Sequence, residues 1–135
     1  MTYLVDANVL SEPTKPMPNE KVVEWLRANE RDLVVDPVIL GELCIGVLSL
    51  SAGRKRARLE RWFETVVRTI ACLPWDAAVS RRWARLVVDL KRNGRALPLL
   101  DGMIAATALE HGLTVATRNV SDFEQSGVTV VDPFA

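Results

Sequence analysis

Histidine occurs once in the 135 residues, at position 111. A single imidazole excludes a His-based acid–base pair and any metal site built on several histidines. Its place beside Gly112 is that of a residue closing a helix. Cysteine occurs twice, as Cys44 and Cys72, with no zinc-type spacing. Neither a thiolate metal site nor a disulfide framework is therefore available, and both residues, set in apolar segments, are expected to be buried free thiols. No apolar run approaches the roughly 18 residues of a membrane span. No charged start followed by an apolar stretch marks a signal peptide, so the cytoplasm is the expected location. Repeats, low-complexity tracts and linkers are missing as well, which leaves one expected domain over residues 1–135.

An excess of charge of one sign is also lacking, because 17 basic side chains balance 17 acidic ones. The balance conceals an asymmetry. Residues 51–100 carry 12 basic and 4 acidic side chains, while residues 1–50 carry 4 basic and 8 acidic. A basic middle between acidic ends leaves a polyanionic partner open.

What is present is an alternation of short apolar runs with helical periods. Tyr3-Leu4-Val5, Leu33-Val34-Val35, Thr69 to Leu73, Leu113 to Ala116 and Val128 to Val131 read as strands. Helices are expected over Asn19 to Asn29, Pro37 to Leu48, Arg54 to Val67, Ala77 to Arg92 and Leu99 to Glu110. Asp36-Pro37 and Pro74-Trp75-Asp76 give helix starts. A helical turn is expected at Val9 to Glu12, and a loop with at most one turn at Thr117 to Gln125. This is an α/β chain: a parallel sheet of four to five short strands flanked by helices, with right-handed crossovers.

Asp6 comes directly after the first strand with no turn residue between. Glu42 is the only charge between Pro37 and Ser51, and Asp101 the only one between Arg95 and Glu110. Each stands among apolar or small helical neighbours. Thr117-Arg118-Asn119-Val120-Ser121-Asp122 comes directly after the fourth strand. Lone carboxylates on apolar helices are costly unless something pairs with them. One arrangement accounts for all of them: strands one and four are neighbours, and the acids meet at their carboxyl ends, where open α/β sheets bind ligands. Two like charges 4 Å apart cost roughly 4 kcal/mol at an effective dielectric of 20. A divalent cation removes that cost, and oxygen-only ligands suit Mg2+ or Mn2+ rather than zinc. Such a cation, with an activated water, is what phosphodiester hydrolysis requires.

The segments Leu4 to Glu12, Gly41 to Gly46, Asp101 to Ala108 and Ala116 to Phe123 resemble, in order and spacing, the successive motifs of the PIN domain. The resemblance extends over nearly the whole chain and is nearest to the VapC/FitB-type toxins of bacterial toxin–antitoxin systems. It implies a single PIN-like domain and a Mg2+/Mn2+-dependent ribonuclease that forms a homodimer and is silenced by a cognate antitoxin. It also implies that Asp6, Glu42 and Asp101 are the acidic metal-site positions. The fourth position, often Asp in the family, is Asn119, which offers a carbonyl oxygen but no charge. Thr117, Asn8 and Asp122 are expected in support: Thr117 on Asp6 or on a water, Asn8 fixing the loop after Asp6.

Arg92 and Arg95, close before Asp101 in sequence, are candidates for holding RNA phosphates. The basic run Arg54, Lys55, Arg56, Arg58 and Arg61 reads instead as a solvated face interleaved with Glu60 and Glu64. Trp25, Trp62, Trp75 and Trp83 read as packing residues. Two other functions fit parts of the pattern. With Asn119 in place of an acid, the domain would serve as an RNA- or partner-binding module. An aspartyl-phosphate phosphatase on Asp6-x-Asn8 would want a carboxylate at position 8 and a late lysine, and residues 96–135 contain no lysine.

Overall fold

Strand β1 (Tyr3–Val5) lies at the middle of the sheet, and its Leu4 and Val5 have no exposed surface. Burial of each contributes about 1.5–3 kcal/mol. This is why an unbroken apolar run occupies that place. The computed structural model describes residues 1–135. Around β1 stand β2 (Leu33–Val35), β3 (Ala71–Cys72), β4 (Thr114–Ala116) and β5 (Thr129–Val131), all parallel, in the order β3-β2-β1-β4-β5. The chain leaves β1 towards β2 and β3, then returns across the sheet to β4 and β5. The reversal falls between β1 and β4, so the expected adjacency of the first and fourth strands is observed.

Seven helices connect the strands: α1 (Ala7–Leu10), α2 (Glu20–Ala28), α3 (Pro37–Leu48), α4 (Arg54–Thr65), α5 (Ala77–Arg92), α6 (Leu99–His111) and α7 (Val120–Glu124). Their starts obey the sequence signals. Asp36 accepts the Ile39 N–H at 2.9 Å, Asp76 the Val79 N–H at 3.0 Å, and Asn19 the Lys21 N–H at 2.9 Å. Such caps are worth about 1 kcal/mol each. Gly112 ends α6 in the left-handed region, at φ 64°, where a side chain would be strained. No helix is long and apolar enough to cross a membrane.

Local departures from the expected elements have physical causes. The strand expected from Thr69 shrinks to Ala71–Cys72, because Val67–Thr69 turns as a 3-10 helix. That turn also stops α4 at Thr65 rather than Val67. The expected turn at Val9 to Glu12 splits into α1 and a 3-10 turn, Glu12–Thr14, that begins next to Pro13. Cys72 is exposed, contrary to expectation, because β3 is the edge strand and nothing covers it; Cys44 is half-buried. Both thiols are free. The four tryptophans are all partly buried, as packing residues are. Trp25 meets Tyr3 edge-on at 4.9 Å, and Trp75 meets Trp83 at 6.2 Å.

Candidate active site

The register of the three central strands aligns the residues just past their carboxyl ends. Val5 pairs with Ala116, and Leu4 with Val34. One step beyond, Asp6 is level with Thr117 on one side and, two steps beyond Leu4, with Asp36 on the other. The Asp6 N–H continues the ladder to the Ala116 carbonyl at 2.9 Å. A carboxylate is therefore delivered to the end of β1 by the same hydrogen bonds that hold the sheet.

Asp6 is 3% exposed. Its Oδ1 accepts the Ala7 N–H at 2.8 Å; its Oδ2 accepts the Thr117 hydroxyl at 2.8 Å and the Asn8 amide at 3.3 Å. Burial still pushes its pKa up despite these bonds. Thr117 thus takes the first of its two expected roles, bonding Asp6 directly. Asn8 does fix the loop: its Oδ1 accepts the Arg118 N–H at 3.1 Å, tying the turn after β1 to the turn after β4. Asn119 is exposed and its side chain caps nothing; its N–H donates to Thr117 Oγ1 at 3.0 Å.

Glu42 and Asp101 arrive from helices. Glu42 sits in the middle of α3, half-buried, with Oε1 buried and without a hydrogen-bond partner. Burial first, then the charges of Asp6, Asp101 and Asp36, raise its pKa to about 7. Asp101 stands in the first turn of α6, where burial, then Asp6 and Asp122, raise it to about 6. Three acids, from the turn just past β1, from α3 and from α6, are therefore close enough for their charges to matter to one another, and Asp122 of α7 joins them through Asp101. None takes part in any of the ion pairs of the protein. As they stand, no three Asp, Glu, His or Cys side chains are gathered closely enough to enclose an ion. The donor set nonetheless fits a hard divalent cation: every group offers oxygen, one carboxylate oxygen is orphaned, and the negative charge has no counterion.

Arg92 and Arg95 are exposed. Helix α5 runs antiparallel to α6: Arg82 bonds Glu110 at 3.4 Å, while Arg95 lines an apolar groove of about 430 Å³ with Leu99 and Gly102. Both arginines thus return to the end of α6 that carries Asp101, but neither is among the charges acting on it. His111 is exposed at the far end of α6.

One acid is not evident from the sequence as a member of this group. Asp36 caps α3, as its neighbour Pro37 indicated, but it is also fully buried beside Asp6 and Glu42. The signal was available: Val34-Val35-Asp36 repeats the pattern of Leu4-Val5-Asp6, an acid directly after a buried strand.

The PIN domain family model matches residues 3–126. The chain is 38% identical over 135 residues to Toxin FitB of Neisseria gonorrhoeae, covering 97% of each. It is 35% identical over 135 residues to VapC ribonuclease Y4jK of Sinorhizobium fredii, covering 97% of this chain and 96% of that one. Among solved structures, that of FitAB bound to an IR36 DNA fragment superimposes with a TM-score of 0.93 at 35% identity, covering 99% of this chain and 96% of that chain.

Proposed function

The chain belongs to the PIN-domain family, and from that premise we propose that it is a metal-dependent endoribonuclease, the toxin of a type II toxin–antitoxin pair. Residues 1–135 act as one domain. Asp6, Glu42 and Asp101 hold Mg2+ or Mn2+ through their oxygens, with the Asn119 carbonyl oxygen completing the set. A divalent cation bound there lowers the pKa of water and offsets negative charge building on phosphorus. Thr117 and Asn8 donate to Asp6 Oδ2 and so orient its carboxylate. Asp122 adds negative charge beside Asp101. Arg92 and Arg95, at the same end of α6, take phosphates of the RNA.

The observation that carries this reading is the grouping of three half- or fully buried acids, one with a buried oxygen that has no hydrogen-bond partner and none with a basic partner. A fold tolerates such a cluster when a cation neutralises it. The relative named a VapC ribonuclease supports RNA as substrate. The FitAB complex supports a cognate antitoxin as partner. The chain acts in the cytoplasm, where RNA and antitoxin are made, and as a homodimer.

The test is RNA cleavage with Mn2+, with EDTA, and by Asp101→Asn with folding verified by circular dichroism. Cleavage lost in the last two supports the enzyme. RNA binding without cleavage by the intact chain supports the binding module instead, which the exposed Asn119 and the open spacing of the acids would favour. Growth after induction of the intact chain and of Asp6→Ala, each with and without the protein encoded beside it, tests the toxin role.

A further inference from the structure

We propose that Asp36 and Thr107 form a positioning pair for the cation site: their buried hydrogen bond sets helix α3, carrying Glu42, against helix α6, carrying Asp101. This rests on the metal-site reading above. Asp36 and Thr107 are both 0% exposed. Asp36 Oδ1 accepts the Ile39 N–H at 2.9 Å and Oδ2 accepts the Thr107 hydroxyl at 2.8 Å. Both oxygens thus face protein donors, and Asp36 is no ligand itself.

A cap alone would not call for this residue. Ser, Thr or Asn cap as well as Asp, without placing a charge in the interior where none can be solvated. What the carboxylate adds is a second oxygen that reaches another helix. Residues 36 and 107 are 71 positions apart, and this is the only hydrogen bond between side chains of α3, with its cap, and α6.

The geometry then explains the use. Glu42 lies six residues after Asp36, and Asp101 six residues before Thr107. At 1.5 Å per residue each carboxylate is about 9 Å along its helix from the pin. Each helix therefore carries its acid at the same sequence distance from the pin, and Asp101 is among the charges that act on Glu42. Releasing the pin lets both helices slide or splay. Groups that hydrogen-bond a metal ligand directly typically change metal affinity 10- to 100-fold when removed; the pin acts through two helices, so its loss should fall at the low end of that range, about tenfold.

The test is Mn2+ binding to the full chain by calorimetry, with melting measured in EDTA. Thr107→Val keeps the shape and removes the hydroxyl; its Kd for Mn2+ should rise about tenfold. Thr107→Ser restores the hydroxyl and should bind within about twofold of the intact chain. Should Thr107→Val fail to fold, Asp36→Ser/Thr107→Val keeps a cap without orphaning a carboxylate and should show the same weakening. A lower melting temperature with an unchanged Kd in a folded variant makes the pair purely structural and overturns the proposal, leaving the metal site standing. Absence of Mn2+ binding by the intact chain overturns the metal site, and the pair's role with it.

Discussion

Glu12 and Asp6 are six residues apart and both have little exposed surface, 4% and 3%, but their carboxyls shift in opposite directions because only one of them has a cation beside it. Glu12 Oε1 meets the Lys15 ammonium at 2.9 Å, and Oε2 accepts the Asn19 N–H at 2.9 Å. Its pKa falls, chiefly through Lys15 and then Asn19, with Arg118 adding a smaller pull. At the end of the sheet, Asp6, Glu42, Asp101 and Asp36 have no such cation, and burial raises the pKa of all four. Glu12 has its counterion within the chain, in Lys15. At the mouth of the sheet the acids have only one another and hydrogen-bond donors for neighbours. Where a buried carboxylate finds its counterion within the chain it holds the fold together; where it finds other carboxylates it marks a place for a ligand.

The largest effect should come from removing charge at the mouth. Asp101→Asn should lower RNA cleavage by about 10²–10³-fold with little change in melting temperature, measured on purified protein with excess Mn2+. Glu12→Gln should leave the cleavage rate as it was. If Glu12→Gln cleaves as poorly as Asp101→Asn while still folded, the division between the two regions fails.

The next effect is on pH. On the proposed metal-site reading, protons would compete with the cation for Glu42, near 7, and for Asp101, near 6. Mn2+ affinity should therefore fall as pH drops from 8 to 5, by up to about tenfold per unit for each proton displaced. Without cation the same groups act on stability in the opposite sense. Their folded-state pKa values lie above the ordinary 4.5 and 3.8, so the native state holds extra protons. The stability they confer is full below those ordinary values and is lost as pH rises through about 6 and 7. Glu12, shifted down, contributes stability above its ordinary value that is lost as pH falls through its lowered one. Melting curves in EDTA across pH 3–8, with and without Glu12→Gln, separate the two contributions.

Smaller still is the gain from relieving repulsion. Glu42→Gln should raise the melting temperature in EDTA at pH 8 by about 2–4 °C, and abolish the further rise that Mn2+ gives the intact chain. Last, Glu12→Gln should lower melting at pH 8 by about 3 °C, with the Mn2+-induced rise intact. A fall in Glu42→Gln in place of a gain would mean that Glu42 is held by an unseen donor.

How far these regions could be read from the chain differed in kind. Asp6, Glu42 and Asp101 were legible because each is a charge alone in an apolar stretch, a pattern with few physical explanations. Glu12 was not, since it stands at the end of the turn expected over Val9 to Glu12, where a charged residue is ordinary. Asp36 was read correctly as a cap and only as a cap, because capping already accounted for an Asp before Pro37. Cys72 was misjudged because an apolar neighbourhood in sequence does not reveal that β3 lies at the edge of the sheet.

The order of strands and helices, their starts at Asp36 and Asp76, and the acids at the strand ends are local properties of the chain. They depend on apolar period and capping chemistry within a few residues, and the sequence determines them by itself. The pairing of Thr107 with Asp36, the repulsion between Asp101 and Glu42, and the opposite fates of Glu12 and Asp6 belong to the tertiary structure alone. A carboxylate's charge is governed by the solvent it loses and the neighbours it meets, and those neighbours, tens of residues away in the chain, exist only once the sheet has brought its ends together.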